Sequence, residues 1–408
     1  MRIAFLNPTA ELGGAERCLL DLISSLREAV AGAAFLLVTP EHGPLVERAR
    51  ALGAETAVLP MPNSLSSLGD SGSERNRLRD RTIALARLGR AGVTAIRSAL
   101  ALGRTIRNWR PDIVHSNGMK YHLLGALAPC GGVPVVWHIR DFLGQRPFMA
   151  RALSLVSGRV AGALAVSHLV ESDLRAQIPD LASVTVYDAI DLTEFSPGPG
   201  YGGRLDDLAG LPPAAPGTVR FGLVATYARW KGHELFLEAA ARLREKVPAL
   251  PARFFIVGGP IYRTRASQFT EDELRMRARS LGLSDAVGFV PFQPEPAWVM
   301  RTLDVIVHAS TQPEPFGRTI AEGLACGRAV IAAAGSGIAE LLSHTGSVIS
   351  WPANRAAELA VAMDLVLRDE PLRRRLGEAG RRAAVSCLSR NRLAAELLVA
   401  YRALAIPQ

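Results

Sequence analysis

The sequence predicts an α/β protein built from two doubly wound parallel-sheet domains, and three observations carry that prediction. Short β-rich apolar runs alternate with helical stretches along the whole chain, the pattern of parallel sheets covered by helices. The chain has 408 residues, too many for one ordinary domain but suited to two of roughly 150–200 residues each. Ser196–Gly217, where 11 of 22 residues are Gly or Pro, separates the runs into two sets. In the first set, strands are expected at Arg2–Asn7, Ala34–Thr39, Thr56–Leu59, Asp112–Ser116, Val133–His138, Ala163–Ser167 and Val184–Tyr187. In the second they are expected at Arg220–Ala225, Arg253–Val257, Val287–Val290, Val305–His308, Ala329–Ala332 and Ser347–Ser350. The domains then run over 1–197 and 218–385, with 198–217 as a Gly/Pro-rich linker or hinge. The final stretch, Arg373–Ala405, reads as helical and amphipathic, and Asn63–Ser73 as an exposed Ser/Gly-rich loop. Ligands of such sheets bind at the carboxyl ends of the strands, so a cleft faced by both domains is the expected substrate site.

Composition excludes several classes. Hydrophobic residues make up 49% of the chain and charged ones 21%, with mean hydropathy +0.16; that is enough to bury a large core and rules out wholesale disorder. After Arg2 the apolar run is only Ile3–Leu6 and Asn7-Pro8 ends it, so no secretory signal is expected. Tyr121–Ile139 is free of charged side chains but contains Pro129, Gly131, Gly132 and Pro134, which argues against a spanning helix. Cys18, Cys130, Cys326 and Cys387 lie far apart with no paired spacing, so neither a disulfide framework nor a zinc site is expected. A soluble, cytoplasmic protein is the expectation.

The net charge of +9 is concentrated. Arg75–Arg110 holds ten arginines and one acid, Asp80; without that window basic and acidic residues balance at 37 each. Such a patch attracts phosphates or an anionic membrane surface, and is equally well the solvated face of one or two helices. Nucleic acid is not expected as a partner, because Trp109 is the window's single aromatic and no binding module is present. Lysine occurs only at Lys120, Lys231 and Lys246 in a chain that otherwise uses arginine, and a compact point charge is something arginine does not copy.

Three motifs carry chemistry. Asn7-Pro-Thr-Ala-Glu-Leu-Gly13-Gly14-Ala-Glu16 follows the first strand and opens a helix from about Ala15. Its two glycines let amides approach an anion at a helix N-terminus, although a Gly-Gly turn is as often structural. It is neither a dinucleotide fingerprint nor a Walker P-loop. Glu314-Pro-Phe316-Gly317-Arg318-Thr319-Ile-Ala-Glu322 follows the strand ending near Ser310. Pro315 and Gly317 place Glu314 on a loop, and a helix starting around Arg318 presents the free amides of Arg318 and Thr319, with Glu322 about a turn in. Thr226-Tyr-Ala-Arg229-Trp-Lys231-Gly232-His233 follows the first strand of the second domain, where a cation pair could neutralise a diphosphate or simply face solvent.

Taken together, the layout and these motifs resemble a retaining family-4 glycosyltransferase (glycosyl transferases group 1) of the GT-B type, two Rossmann-like domains facing an inter-domain cleft. The resemblance covers nearly the whole chain, including Gly335-Ser-Gly-Ile-Ala-Glu340, Thr345-Gly346 and the C-terminal helices, and Glu-x7-Glu is its specific signal. It implies that residues 386–408 form a helix crossing back to the N-terminal domain, which handles the acceptor, while the C-terminal domain binds the nucleotide sugar. It implies that Glu314 hydrogen-bonds donor-sugar hydroxyls and Glu322 the ribose. The amides from Phe316 to Thr319, with Gly14 and its neighbour Gly13, would hold the diphosphate, and Lys231 would balance its charge. His138, in Trp137-His-Ile-Arg-Asp141, matches the family's histidine facing the donor sugar; as a lone residue it would read as structural. Where the family carries Arg five residues before its Lys, this chain has Thr226, with Arg229 as the candidate substitute. Asp188-Ala189-Ile190-Asp191 stands where the family has Asn-Gly before Val/Ile-Asp.

The resemblance implies transfer of a hexose from a nucleoside-diphosphate sugar to a glycan or lipid-linked acceptor, with the anomeric configuration kept, in bacterial cell-envelope polysaccharide synthesis. Stabilising the departing diphosphate is the main task. No Asp-x-Asp occurs, so no metal and no other cofactor is expected. The arginine-rich window would dock the protein peripherally on the inner membrane face. Base choice is expected to rest on the loop around Phe289–Phe292. Competing readings are a nucleotide-sugar epimerase or hydrolase on the same fold, and a degenerate GT-B partner protein. A nicotinamide dehydrogenase fits poorly without the dinucleotide glycines.

Overall fold

In the computed structural model of the chain the described residues are 1–61, 81–246, 251–260 and 267–405, of which 81–94 by backbone alone. All thirteen expected strands form, each end within two residues of its expected place. The first sheet contains β1 (Arg2–Leu6), β2 (Ala34–Thr39), β3 (Glu55–Val58), β4 (Ile113–Asn117), β5 (Val135–Ile139), β6 (Gly162–Ala165) and β7 (Ser183–Thr185). Its order is β3-β2-β1-β4-β5-β6-β7 and every pairing is parallel. The second contains β8 (Val219–Val224), β9 (Ala252–Gly258), β10 (Val287–Pro291), β11 (Val305–His308), β12 (Ala329–Ala333) and β13 (Val348–Trp351). Its order is β10-β9-β8-β11-β12-β13, again wholly parallel. Helices cover the faces of such sheets, so β4, β5, β11 and β12 are buried at every residue. That burial is why they read as continuous apolar runs rather than alternating ones.

In each sheet the strand order reverses once, between β1 and β4 and between β8 and β11. These are the places where loops leave a doubly wound sheet in opposite directions and open a crevice at the carboxyl ends. Every candidate motif sits on a loop flanking one of the two reversals or on the neighbouring strand tip.

The chain divides into two units, Met1–Ala189 with Arg390–Gln408, and Ile190–Ser389. The sequence placed the first boundary at residue 197 and read 198–217 as a linker. The structure instead makes 190–217 part of the second unit. Phe195 is fully buried, and Arg381 donates to the carbonyls of Phe195 and Ala325 at 3.0 and 2.8 Å, tying the segment down. A helix at Gly202–Ala209 follows, burying Leu205 and Asp206. Asp206 takes ion pairs from Arg220 at 2.9 Å and Arg253 at 2.8 Å, on neighbouring strands β8 and β9. Gly and Pro here cap that helix and shape its flanks instead of leaving the chain loose: Gly210 stops the helix in the left-handed conformation at φ +68°.

The stretch expected to be helical over Arg373–Ala405 forms two helices, Glu370–Cys387 and Arg390–Ala405, separated by Leu388 and Ser389. The second helix joins the first unit, placing Leu393, Leu397, Ala400 and Tyr401 in the core that Phe5, Phe35 and Leu37 supply from the sheet. Arg390 pairs with Asp21 at 2.7 Å, and Arg392 donates to the carbonyls of Tyr187 and Asp188 at 2.6 and 2.8 Å. Phe221, Phe254, Ile256, Val307 and Trp351 form the core of the second unit with Phe236 and Met363 from its helices.

Asn63–Ser73 and Arg75–Asp80 lie outside the described residues. The remainder of the arginine-rich window is one helix, Arg81–Trp109. On its later turns Arg97 and Arg104 are exposed, as are Ile96 and Leu100. Among the described residues no helix is long and apolar enough to cross a membrane.

Candidate functional site

In the second unit, the loops after β8 and β11 are locked together. Residues Arg229–Lys231 form a single 3-10 turn, closed by Gly232 in the left-handed conformation at φ +76°. A Cβ on Gly232 would lie 1.8 Å from the carbonyl oxygen of Ala309, one residue past β11, so only glycine lets the two backbones approach. Thr311 adds its amide to the Trp230 carbonyl at 2.7 Å. This clip carries Lys231 to the segment that bears Glu314. Lys231 Nζ lies 2.7 and 3.0 Å from the two Glu314 carboxylate oxygens, and 3.9 Å above the Trp230 ring.

Glu314 is held from its other side as well. Its amide donates to Gly335 and its carbonyl accepts from Gly337, so the loop after β11 zips onto the loop after β12. The Glu314 carboxylate also accepts from Ser310 Oγ at 3.1 Å, while His308 Nε2 lies 3.4 Å away and 3.0 Å from that hydroxyl. Burial alone would raise the Glu314 pKa, but the Lys231 charge and His308 outweigh it and hold the carboxyl well below the usual carboxylate range. Both members of the pair are therefore charged and mostly shielded from water, at 19% and 13% side-chain exposure.

Gly317, at φ +104°, is the N-cap of the helix Arg318–Ala325, as the sequence reading placed it. The first amides of a helix, here those of Arg318 and Thr319, have no intrahelical acceptors and carry the positive end of its dipole. Phe316 is buried, with its carbonyl accepting from Ile338. Glu322 is buried in the middle of this helix and accepts from Arg318 Nε at 2.8 Å. Arg229 has partners different from those of Lys231. Its guanidinium pairs with Glu273 at 3.0 Å and stacks over Phe269 at 4.3 Å, and nearly half of its side chain is exposed.

In the first unit, Gly13 caps the helix Gly14–Ala29, and its amide donates to Glu16 at 3.1 Å. Glu16, whose pKa burial raises against the pull of Asn7, accepts from Asn7 Nδ2 at 3.3 Å. Asn7 in turn accepts from Asn117 Nδ2 at 2.7 Å, a bond joining the tips of β1 and β4 across the reversal of the sheet. A side chain at Gly14 would meet nothing within 4 Å, so the glycine leaves open space at the helix N-terminus.

His138 is buried near the end of β5. Its Nδ1 lies 3.0 Å from His115 Nε2 and 3.3 Å from Arg140, whereas its Nε2 has no partner. Arg140 also donates to Asn117 at 2.7 Å and to Asp188 at 2.7 Å. The sequence reading gave no role to His115, Arg140, His308 or Ser310. Arg140, His308 and Ser310 are polar residues on a strand tip or within two residues past one, which is the signal that could have singled them out; His115 lies mid-strand in β4, a polar residue within a buried apolar run. The Asp188 departure from the family pattern supplies the carboxylate that holds Arg140.

Comparison with known proteins agrees with this architecture. Residues 12–194 match the family model described as Glycosyltransferase Family 4, and residues 215–383 match Glycosyl transferases group 1. Both halves of the chain match glycosyltransferase families, and the fold is GT-B. Among similar proteins is a D-inositol 3-phosphate glycosyltransferase from Thermomonospora curvata, 32% identical over 282 residues, 67% of this chain and 62% of that one. The same-named protein of Rhodococcus erythropolis is 33% identical over 211 residues, 51% of this chain and 44% of its own. The chain thus spans about half the length of the curated relatives it matches. Among solved structures, Anabaena Alr3699/HepE in complex with UDP aligns over 99% of this chain and 100% of its own, with TM-score 0.78 and 21% identity. Sucrose-phosphate synthase from Thermosynechococcus elongatus aligns over 99% of both chains, with TM-score 0.75 and 18% identity.

Proposed function

We propose that this protein is a retaining glycosyltransferase that moves a hexose from a nucleoside-diphosphate sugar to a glycan or lipid-linked acceptor without a metal. The observation that carries the reading is the Lys231–Glu314 pair, charged, shielded and fixed beside the helix N-terminus at Arg318. A departing diphosphate gains one negative charge on its terminal phosphate as the sugar bond breaks, and the ammonium with the helix amides stabilises that charge without reorganisation. In this reading the donor takes the place of each partner in turn: Lys231 faces the diphosphate, the Glu314 carboxylate accepts from sugar hydroxyls, and Glu322 accepts from the ribose. His138 donates to the sugar. With Arg229 tied to Glu273 and Phe269, Lys231 carries the phosphate charge without a second cation from that loop.

The relatives named as glycosyltransferases and the HepE complexes with UDP and UDP-glucose support a nucleotide-sugar donor and make UDP the first base to try. Calorimetry with UDP, GDP and ADP in EDTA, on the wild-type chain and Glu322→Ala, tests the donor site. One diphosphate is expected to bind, and the variant to weaken it by roughly ten- to a hundredfold, the loss of a charge-assisted hydrogen bond. Equal binding by the variant removes Glu322 from the site, and no binding of any diphosphate overturns the donor reading.

The acceptor side of the proposal rests on the helix Arg81–Trp109. Its exposed Arg97 and Arg104 lie beside exposed Ile96 and Leu100, an apolar surface with a basic fringe that suits an anionic membrane leaflet. Flotation with vesicles containing anionic lipid is expected to carry the protein at low salt and release it at high salt. Equal flotation with neutral vesicles would remove the electrostatic argument.

A further inference from the structure

The hydrogen bonds behind His138 determine where its proton sits. Arg140 approaches His138 Nδ1 at 3.3 Å, and a guanidinium can only donate. Nδ1 is therefore the bare nitrogen and the proton is on Nε2. His115 Nε2 lies 3.0 Å from the same Nδ1 and must also donate to it, which leaves His115 Nδ1 bare. That nitrogen then accepts the Tyr401 hydroxyl at 2.7 Å. The two rings meet edge to face, with centroids 5.0 Å apart, and all three side chains are buried.

A directed chain thus runs from the helix Arg390–Ala405, through β4, to β5. It ends in one N–H, His138 Nε2, that is buried without a partner. Buried donors without acceptors are rare in folded proteins because they lose their water and gain nothing in return. The doubly protonated alternative is opposed by burial first and by the Arg140 charge second, both of which push His115 and His138 well below the ordinary histidine range.

We propose that His115 and Tyr401 are positioning residues which, with Arg140, hold His138 as the neutral Nε2–H tautomer, a fixed donor for a hydroxyl oxygen of the donor sugar. The sugar contact rests on the glycosyltransferase reading; the tautomer does not. This gives the terminal helix a chemical task, since it delivers the hydroxyl that donates to the bare His115 Nδ1 once Arg140 has set the direction of the chain. It also makes position 115 a place where a packing change alters sugar recognition while leaving nucleotide recognition alone.

The test has two arms. In the full chain labelled with 15N-histidine, His138 (assigned by its absence in His138→Gln) is expected to show an unprotonated Nδ1 and a protonated Nε2 at neutral pH. A protonated Nδ1 would overturn the tautomer assignment directly, with no variant needed. In the second arm, the affinity advantage of UDP-glucose over UDP is measured. It is expected to shrink roughly tenfold in His115→Leu and in part in Tyr401→Phe, and to return in His115→Gln, whose amide N–H replaces the imidazole donor. UDP itself should bind all of these equally. An unchanged advantage in His115→Leu overturns the positioning role. If the wild-type chain binds no UDP, the donor reading fails, and the spectrum alone then decides for or against the tautomer.

Discussion

Lys231 and Glu314 are 83 positions apart and form one of the most shielded ion pairs of the second unit. Such a pair is a poor way to gain stability, since desolvating two charges consumes most of what their attraction returns. Its placement makes better sense as a pair of hands kept charged and ready. Lys231→Ala is expected to lower kcat by on the order of a hundredfold, about 3 kcal/mol, with a smaller effect on donor KM. Turnover at the wild-type rate would sink the assignment of Lys231 to the leaving group. The same variant leaves Glu314 buried with only Ser310 and His308 beside it, so its carboxyl should titrate closer to the ordinary range. Reading the residues one by one from sequence found Lys231 because lysine is rare here, and found Glu314 through its spacing to Glu322. It passed over Ser310 and His308, whose role exists only because the chain turns back on itself after β11.

At the scale of elements, the clip between the loops after β8 and β11 holds the site. Gly232 combines a left-handed backbone with a contact that a single Cβ would destroy. Gly232→Ala is expected to destabilise the protein by roughly 2–4 kcal/mol and to cut turnover more than its stability loss explains, because Lys231 moves with the loop. An unchanged urea midpoint in that variant would show that the loop is free to shift and that the clip does not set the geometry. Gly317 plays a related part, since its φ of +104° turns the chain from the Glu314 loop into the helix that presents the amides. The Gly-Gly pair at Gly13 and Gly14 divides its duties. Gly13 gives its amide to Glu16, and Gly14 leaves room in front of the helix. Both glycines stood out in the sequence, but which one is spoken for and which one faces open space follows from where Asn7 and Asn117 join the strand tips.

At the scale of the whole molecule, buried neutral histidines make stability depend on pH. Burial lowers His122 and His233 to about 3, and carries His115 and His138 well below the ordinary value. In the unfolded chain the same imidazoles take up protons near pH 6.5, so acidification favours unfolding from that value downward. Between pH 7.5 and 5.5 each is expected to remove about 1.4 kcal/mol, so His115, His122 and His138 together cost the first unit about 4 kcal/mol. Glu314 works in the same direction at lower pH: its depressed value gives a stabilisation present above the ordinary carboxylate range and lost as pH falls below it. Denaturant unfolding at the two pH values measures the histidine effect. A stability unchanged by that acidification would mean that these side chains are charged in the folded state.

The sequence by itself determined the sheets. Thirteen apolar runs, separated by helical stretches, admit little besides two parallel sheets, because buried parallel strands need continuous apolar residues and crossovers need helices. It also singled out the loops after β1, β8 and β11 on which the candidate site is built, through Gly, Pro and isolated charges that follow a strand end. Tertiary structure decided what polar atoms do once buried. Nothing local in Ser196–Gly217 tells a loose linker from a segment anchored by Asp206 to Arg220 and Arg253, because the anchor lies in strands that follow it. Likewise nothing local ties His115 to His138 or to Tyr401, which lie 23 and 286 residues from it. Only the fold stacks their nitrogens and hydroxyl within hydrogen-bond reach, and only the neighbouring guanidinium, which cannot accept, gives that line of bonds a direction.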